Sequence, residues 1–384
     1  MKLVNACCVC EERFASQQEG ACAITARTIE AIAFRSKTRR LNLALQGGGA
    51  HGAFTWGVLE RVLREESLGI GWISGTSAGA VNAVAVAHGL AQGSRQAAIE
   101  ALENIWTAVD RAQVPDLMRL NPVLAGLYRA TPVPNVTSSL SPYEFNPMGF
   151  DPLRKILVEN IDFEAISRQP GCDLIIAATD VETGRARLFR THEITADVVI
   201  ASACLPTLHH AVMIDGRAYW DGGFSANPDL ITLAGESPSR DTLLVQLNPI
   251  RATRIPRVPR AISDRTDTIA FNQPLLRDIE EIIRIQSASS GWLNGAGGQI
   301  GRIQAHRFHL IVAGRHTDQL GADSKVKPDR GVLRYLFEAG RGEAQRWIEQ
   351  CGALVGKRSS VDLAATYLRD LTQPADVVPQ QKSA

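Results

Sequence analysis

The sequence feature that most constrains the fold is a strand, a glycine turn and a helix that follow one another twice near the start of the chain. Residues 41–45 are mostly apolar and a run of three glycines follows them, which is typical of a short buried strand. The next apolar residues recur at helical spacing as far as Arg64. A second strand, 70–74, leads into a glycine turn at 75–79 and a helix of small residues. Two such units predict an α/β fold with a central, mostly parallel sheet flanked by helices.

The rest of the chain continues this alternation with one interruption. Between Arg111 and Pro152, prolines are mixed with apolar residues such as Leu117, Leu120 and Leu127, which predicts a lid or a substrate-contacting segment at the mouth of a cleft. Further helices are predicted at 153–160, 275–287 and 332–351. Further strands are predicted at 174–179, 243–247 and 308–312, with a strand pair around Asp215-Gly216.

Composition and charge exclude several classes of protein. The 384 residues are 45% hydrophobic and 21% charged, and the formal net charge of +1 creates no strong field to attract nucleic acid. No uninterrupted apolar stretch reaches the roughly 20 residues that span a bilayer. Met1 to Val4 are followed by Asn5 and a cysteine cluster instead of an apolar signal region. We therefore expect a cytoplasmic protein that can contact a membrane surface peripherally.

Four of the seven cysteines lie in the first 22 residues, where no histidine is nearby. They are Cys7, Cys8, Cys10 and Cys22. This spacing does not match a standard zinc site, so no metal is predicted, and we expect an N-terminal extension with reduced thiols. The remaining three, Cys172, Cys204 and Cys351, are expected to be buried apolar residues.

The turn Gly75-x-Ser77-x-Gly79 has the pattern of a nucleophile elbow, in which a strained turn between a strand and a helix exposes a serine hydroxyl. Five-residue matches of this kind are weak alone, because the chain contains 32 glycines. The context strengthens the match, since an apolar strand precedes the turn and a small-residue helix follows it. The sequence predicts Ser77 as a nucleophile.

The glycine loop 47–52 lies between the first strand and its helix, where backbone N–H groups are free to bind an oxyanion or a phosphate. It also spells G-x-G-x-x-G, the dinucleotide fingerprint. However, Glu65 and Glu66 stand before the second strand, whereas a ribose-binding acid follows that strand. A dinucleotide cofactor is therefore not predicted.

A serine nucleophile needs a base, and the residues alone allow two arrangements. An ordinary α/β-hydrolase would combine Ser77 with an acid such as Asp221 and a late histidine, His306 or His309. The topology argues against this arrangement, because only one recognisable strand precedes the nucleophile strand.

The second arrangement comes from a resemblance to the patatin-like phospholipases, which use a serine–aspartate dyad without a catalytic histidine. Three motifs match in order: the glycine loop 47–52, the elbow 75–79 and the triplet Asp221-Gly222-Gly223. The segment 201–206 also resembles the one that precedes the family's aspartate strand. The resemblance covers about residues 41 to 320 and implies the three-layer fold of that family.

Carried over residue by residue, the resemblance implies that Ser77 attacks an ester carbonyl and that Asp221 accepts its proton. The amides of Gly47, Gly48 and Gly49 would stabilise the oxyanion, and no cofactor would be needed. Supporting motif residues are His51, Gly52, Gly75, Gly79, Gly222 and Gly223, the last two allowing a tight turn at the aspartate. His51 departs from the family, in which this position is commonly Arg or Lys.

The resemblance also implies a domain organisation and a substrate class. We expect an N-terminal extension at 1–40, a catalytic domain at 41–320, a C-terminal helical segment at 321–371 and a loose tail at 372–384. The expected activity is hydrolysis of lipid acyl esters, as in a phospholipase A or esterase. Hydrolysis of another acyl ester or thioester by the same dyad remains open, because the motifs define the reaction centre and not the acyl pocket.

Two other patterns have simpler interpretations. His209-His210 is expected to be a surface or strand-end pair, since no third metal ligand lies at useful spacing. Arginines recur every third residue among prolines, at Arg251, Arg254, Arg257 and Arg260, and an extended loop could align them toward lipid phosphates. A solvated loop is the favoured interpretation.

Overall fold

The structure is a computed structural model that describes residues 38–112, 141–252, 255–288, 298–318, 320, 323–326 and 330–368. The N-terminal cysteine cluster, the larger part of the predicted lid with Leu117, Leu120 and Leu127, and the tail from 372 lie outside the described residues. The two ends of the predicted lid, 111–112 and 141–152, are described.

An eight-stranded sheet is the central element. Its strands are β1 (Arg39–Leu45), β2 (Leu68–Gly75), β3 (Leu174–Asp180), β4 (Ala186–Arg190), β5 (Val212–Ile214), β6 (Arg217–Asp221), β7 (Asp241–Gln246) and β8 (Arg307–Val312). Their spatial order is β5-β6-β3-β2-β1-β7-β8, and β4 also pairs with β3. The pairs among β1, β2, β3, β7 and β8 are parallel, whereas those of β4, β5 and β6 are antiparallel. The predicted α/β class with a mostly parallel sheet is confirmed.

Helices connect the strands and cover the sheet. In the first half of the chain they are α1 (Gly52–Leu63), α2 (Ala78–Ala91), α3 (Arg95–Arg111), α4 (Pro142–Phe145), α5 (Pro152–Asn160), α6 (Phe163–Arg168) and α7 (Ala196–Ser202). In the second half they are α8 (Ile231–Glu236), α9 (Pro259–Ser287), α10 (Gln299–Gln304), α11 (Gly314–Thr317), α12 (Asp323–Val326), α13 (Arg330–Cys351) and α14 (Leu363–Tyr367). Short 3-10 turns span Gly49–His51, Thr191–Glu193, Gly222–Phe224 and Gly352–Leu354.

Two apolar cores, one on each face of the sheet, give the fold its three layers. Leu43 of β1 is buried in a core with Phe54 of α1 and Val84 of α2. The next residue, Ala44, points to the other face and packs in a second core with Ile279 of α9. This alternation follows from the two-residue repeat of a strand, which sends successive side chains to opposite faces.

Several element boundaries differ from the sequence-based expectation, most by a few residues, and that of α9 has a clear physical reason. Strand β1 begins at Arg39, so it includes two basic residues that we assigned to the extension. Helix α9 begins at Pro259 and runs for 29 residues through Pro274, whereas only 275–287 was predicted. A proline inside a helix removes one backbone hydrogen bond and normally signals a boundary. Here, packing of the helix against the sheet maintains it, since Leu275 and Ile279 are fully buried.

The predicted strand pair around residue 215 is confirmed as β5 and β6. Asp215 and Gly216 connect the two strands with positive φ angles of 48° and 78°. Two consecutive positive φ angles are the geometry of the tight turn that favours Asp-Gly in hairpins. The turn directs β6 toward the sheet centre, so its last residue, Asp221, pairs with Ala178 of β3.

Helix α13 packs closely on α1. A Cβ atom added at Gly57 would lie 1.9 Å from the carbonyl oxygen of Phe337, and one added at Gly340 would lie 2.0 Å from that of Phe54. The two helix backbones therefore touch at a pair of glycines. Within the ranges that the structure covers, no helix is both long and apolar enough to cross a bilayer.

Candidate active site

The glycine loop and the nucleophile elbow meet because they follow two neighbouring parallel strands. β1 and β2 pair in parallel from residue 39 to residue 45, so both loops leave the same edge of the sheet. A Cβ atom added at Gly47 would lie 2.8 Å from Cβ of Ser77 and 2.9 Å from the carbonyl oxygen of Thr76. Any side chain at Gly47 would therefore separate the loop from the serine.

Ser77 adopts the strained backbone of an elbow, with φ 56° and ψ −122°. Residues other than glycine rarely adopt a positive φ, and functional sites are where such strain is usually retained. The Ser77 N–H donates to the hydroxyl of Ser202 at 2.9 Å, which holds the turn from α7. On the other side, a Cβ at Gly79 would lie 2.0 Å from the carbonyl oxygen of Leu45, so only glycine lets α2 begin this close to β1.

Asp221 is placed at the end of β6 by three contacts that fix its backbone and one oxygen. Its N–H donates to the carbonyl of Cys204 at 2.8 Å, and its carbonyl accepts from the Thr179 hydroxyl at 2.7 Å. Its Oδ1 accepts from the Gly223 N–H at 2.7 Å. The other oxygen, Oδ2, is buried and has no hydrogen-bond partner in the part of the chain that the structure describes.

Burial raises the pKa of Asp221 to about 7, against the lowering effects of the Gly223 N–H and the Ser77 hydroxyl. The hydroxyl is thus close enough to stabilise the carboxylate electrostatically. Oδ2 of Asp221 and the Ser77 hydroxyl do not form a hydrogen bond of normal geometry. In unliganded enzymes, catalytic hydrogen bonds are often long and tighten when the substrate binds.

The glycines after the aspartate are needed for close packing, not for an unusual turn. Neither Gly222 nor Gly223 is among the residues with a positive φ. A Cβ at Gly222 would lie 2.2 Å from the carbonyl oxygen of Ala177, and one at Gly223 would lie 2.2 Å from the Phe271 ring. The backbone does turn tightly here, in the 3-10 turn Gly222–Phe224, but glycine is required because space excludes a side chain and not because of a positive φ.

The amide of Gly47 is already occupied. Its N–H donates to Oδ1 of Asn227 at 2.8 Å, and its carbonyl accepts from Nδ2 of Asn248 at 2.9 Å. This contact removes Gly47 from the predicted set of three oxyanion donors. Gly48 and Gly49 line the cleft beside Ser77, and Gly49 begins the 3-10 turn Gly49–His51.

Comparison with known proteins gives a family match over the region that contains these motifs. A family description, patatin-like phospholipase, matches residues 43–234, which is half of the chain and spans the glycine loop, the elbow and Asp221. The chain belongs to the patatin-like phospholipase family. No curated protein sequence matches it.

Two solved structures of patatin-like phospholipases are similar to the chain at low identity. VipD from Legionella pneumophila is 15% identical, with 80% of this chain and 66% of the VipD chain covered and a TM-score of 0.41. ExoU in its complex with SpcU from the type III secretion system of Pseudomonas aeruginosa is 14% identical, with 87% and 76% covered and a TM-score of 0.27. The match spans slightly less than two thirds of VipD. Family membership rests on the sequence motifs and not on these distant similarities.

The motifs of this patatin-like chain border a cleft of about 900 Å³. Its walls come from the ends of the strands, from α9 and from both sides of residues 113–140. Lining residues before the predicted lid include Trp106 and Val109, and Phe150 lines the cleft from the described end of the predicted lid. Residues 113–140 fall outside the described residues, so the approach of Leu117, Leu120 and Leu127 to Ser77 stays a prediction.

His51 is neutral in this environment. Burial, together with the nearby charge of Lys325, lowers the pKa of its imidazole to about 3. Its Nε2 lies 2.8 Å from the Ser324 hydroxyl of α12, and its Nδ1 is buried without a partner in the described structure. The family's usual basic residue is thus replaced by an uncharged one.

The late histidines do not belong to the site. His309 lies 2.9 Å from the Ser360 hydroxyl and 3.2 Å from Oδ1 of Asp241, and His306 lies 2.7 Å from the Thr242 hydroxyl. Neither histidine lines the cleft that contains Ser77 and Asp221. The ordinary α/β-hydrolase arrangement with His306 or His309 is therefore contradicted.

His209 is a residue whose position the sequence did not predict, because we expected it at the surface or at a strand end. It is half-buried and lines the cleft with Ser77 and Asp221, although no hydrogen bond joins these three described side chains. His210 instead stacks on Tyr143, with its Nε2 3.1 Å from the Pro142 carbonyl. Among the residues that the structure describes, no cluster of His, Cys, Asp or Glu has the arrangement of a metal site.

The arginine repeat is divided by the structure. Arg251 and Arg265, the latter outside the repeat, line the cleft, Arg254 lies outside the described residues, and Arg260 belongs to α9. The repeat therefore does not form one extended loop, because α9 begins at Pro259.

Proposed function

We propose that this protein is a lipid acyl hydrolase that uses Ser77 as nucleophile and Asp221 as general base. The observation that carries the proposal is the pairing of a strained serine with a fully buried carboxylate whose Oδ2 is unpartnered among the described residues. A buried acceptor without a partner is costly, which favours a role for it in binding a proton or a substrate group. Family membership supports the substrate class, because patatin-like phospholipases act on lipids.

The reaction divides into two steps that share the same base. In the first, Ser77 Oγ forms a bond to the ester carbonyl carbon while its proton moves to Asp221 Oδ2. The tetrahedral intermediate then collapses, the bond to the alcohol oxygen breaks, and Asp221 returns the proton to the leaving alcohol. In the second step, Asp221 takes a proton from water, the hydroxide attacks the acyl-Ser77 ester, and the fatty acid leaves as Ser77 regains its proton.

The developing oxyanion needs N–H donors that point at the former carbonyl oxygen. We assign this role to the N–H groups of Gly48 and Gly49, since the Gly47 N–H is taken by Asn227. Asn227 and Asn248 hold Gly47 from both of its polar atoms and thereby position the following two amides. The site needs no metal or cofactor for these steps.

The cleft walls suit an acyl chain, and its mouth suits a lipid surface. Val81, Trp106 and Leu153 present apolar surface inside the cleft. At the mouth, Phe150 is 47% exposed and Ile255 is 85% exposed. Exposed apolar residues at the entrance of a cleft are typical of a surface that meets lipid. Peripheral contact with a membrane is therefore part of the proposal.

A second candidate is hydrolysis of a non-phospholipid ester or thioester by the same two residues. The geometry of Ser77 and Asp221 serves either bond equally, because both place an electrophilic carbonyl carbon at the serine. Profiling on p-nitrophenyl esters, phospholipids and acyl-thioesters of matched chain length separates the two candidates.

Labelling with a fluorophosphonate probe tests the nucleophile. An activated serine reacts readily with this electrophile, so the wild type should carry the label on Ser77, located by peptide mass analysis. Ser77→Ala should carry none, while Ser202→Ala, which keeps the proposed nucleophile, should still be labelled. Equal labelling of Ser77→Ala and the wild type would overturn the assignment.

A further inference from the structure

A lysine from outside the matched family region enters the cleft. Lys325 of α12 lines the cleft with Ser77, Gly48 and Gly49, although it follows the family match by about 90 residues. Its Nζ donates to Oδ1 of Asn248 at 2.7 Å. The mechanism proposed above does not use it.

Three contacts fix the position of Lys325 relative to the glycine loop. Its side chain reaches Gly47 through Asn248, which donates to the Gly47 carbonyl at 2.9 Å. Its backbone carbonyl lies against Gly49, where an added Cβ would be 2.3 Å away. The preceding Ser324 contacts the His51 ring at 2.8 Å. The backbone of Lys325 is therefore packed against the loop, and its ammonium group is tied to the loop through Asn248.

The ammonium has donors left for a ligand. A lysine carries three N–H donors, and Asn248 accepts one of them. Asp264 and Asp267 of α9 line the same cleft and act on the ammonium through their charges. Burial lowers the pKa of Lys325, and these two carboxylates act in the opposite direction. His51 is neutral, so it does not share the role of a cation.

Two arginines also line the cleft, but the structure gives Lys325 the place at the loop. Arg265 donates to the carbonyl of Ile250 at 2.9 Å, and Arg251 has partners of its own. The partner of Arg265 therefore lies outside the glycine loop. In a glycerophospholipid the phosphate is attached to the carbon next to an ester-bearing carbon, so a cation close to the oxyanion loop is where this phosphate would meet it.

We infer that Lys325 is the specificity-determining residue of the cleft and binds the phosphate diester of the substrate while Ser77 attacks the neighbouring ester. The inference rests on the proposed ester hydrolysis and adds the class of head group. A lysine ammonium binds phosphate as a point charge. The binding free energy of such a contact is that of a charge-assisted hydrogen bond.

Two short-chain substrates with the same acyl groups, both used as monomers, test the inference. They are dihexanoylphosphatidylcholine, which has the phosphate, and dihexanoylglycerol, which lacks it. Lys325→Met should lower kcat/KM for the phosphate-bearing substrate by about tenfold to a hundredfold, with a change of less than about threefold on the uncharged one. Lys325→Arg should restore part of the loss. Lys357→Met, an exposed lysine away from the cleft, is the matched control and should change neither rate.

An equal loss of Lys325→Met on both substrates would overturn the inference, because it would make Lys325 only a support for the loop. A second measurement does not depend on that variant folding: dibutyl phosphate, an anionic phosphodiester with no ester carbonyl, should inhibit wild-type hydrolysis of p-nitrophenyl butyrate, whereas uncharged tributyl phosphate should not. Equal inhibition by both, or by neither, contradicts the inference. Absence of any ester hydrolysis is a different result, which contradicts the proposed function; calorimetric binding of dibutyl phosphate to the wild type would then still test the phosphate site.

Discussion

Asp221 is an ionisable residue whose charge is opposed by its surroundings. Its carboxylate is 1% exposed and one oxygen has no partner among the described residues, so burial raises its pKa to about 7 while the Gly223 N–H and the Ser77 hydroxyl pull it down. A base is most effective when its pKa lies near the working pH, because it is then both ionised and basic enough to take the proton. The site therefore combines a raised carboxylate pKa with a serine held in an elbow.

This shift predicts the pH dependence of activity. Asp221 accepts the proton only as the carboxylate, so kcat/KM should rise as the pH increases and level off above about 7, the raised pKa. A rising limb near pH 4, the range of an ordinary aspartate, would contradict the burial of the base. Initial rates on p-nitrophenyl butyrate, corrected for spontaneous hydrolysis, measure the profile.

The raised pKa of Asp221 also affects stability. It makes the free energy of unfolding fall as the pH rises, whereas a salt-bridged aspartate makes it rise. Because the folded-state pKa is raised, the contribution of Asp221 to the free energy of unfolding is fully present below its unfolded pKa and is lost as the pH rises through about 7. Asp221→Asn cannot ionise, so its melting temperature relative to the wild type should increase from about pH 4 to about pH 7 and stay constant above that. Differential scanning calorimetry of the two proteins checks the sign.

His309 is predicted to matter for folding and not for turnover. It is fully buried and bonded to Asp241 and Ser360, and its ring meets Trp347 edge-on. His309→Ala leaves buried polar partners unsatisfied and should lower the free energy of unfolding by about 1–3 kcal/mol. The rate per folded molecule should stay within a few-fold of the wild type. Urea unfolding and initial rates measure the two effects, and a collapse of turnover with an intact fold would restore the histidine-dependent mechanism.

The close packing of α13 on α1 can be tested by comparing substitutions at two glycines of α13, Gly340 and Gly342. Gly340 touches the backbone of Phe54, so Gly340→Ala forces the helices apart and should cost about 1–3 kcal/mol of unfolding free energy. Gly342 is two residues away on the same helix and has no atom within 4 Å of an added Cβ. Gly342→Ala should therefore stabilise the protein by about 0.5–1 kcal/mol through helix propensity. Equal effects of the two substitutions in urea unfolding would contradict the close helix contact.

Elements with a strong local pattern were predictable, and those decided by packing were not. The strands β1 and β2 are apolar, short and followed by glycine turns, so their sequence alone defines them. Helix α9 was predicted too short, because Pro274 and the polar residues before it signal a break that burial of Leu275 and Ile279 overrides. Propensity is a weak signal when a tertiary contact opposes it.

The residues of the candidate site also fall into two groups: those that sequence motifs identify and those that only the folded structure brings to the site. Ser77, Asp221 and the glycine loop lie in short motifs, so their identities could be read from the sequence. Four further residues reach the site from elsewhere in the chain: Ser202, Asn227, Asn248 and Lys325. Ser202 lies in the segment 201–206 that resembles the family, but that resemblance did not indicate its contact with Ser77. The other three belong to no motif, and only the order of the strands and the position of α12 bring them there. For the same reason, the sequence could not show that Asn227 occupies the N–H of Gly47, which leaves Gly48 and Gly49 as the proposed oxyanion donors.

The central claim is that a carboxylate, with no imidazole, is the base for Ser77. Its most direct test is the rate of ester hydrolysis by three variants whose folding is verified by cooperative unfolding: Ser77→Ala, Asp221→Asn and His209→Ala. His209 is the appropriate comparison because its ring lines the same cleft. Loss of a general base typically costs about 10²–10⁴ in rate, so Asp221→Asn and Ser77→Ala should both lose turnover by at least that amount, while His209→Ala should keep most of it. Full turnover in Asp221→Asn together with its loss in His209→Ala would contradict the account.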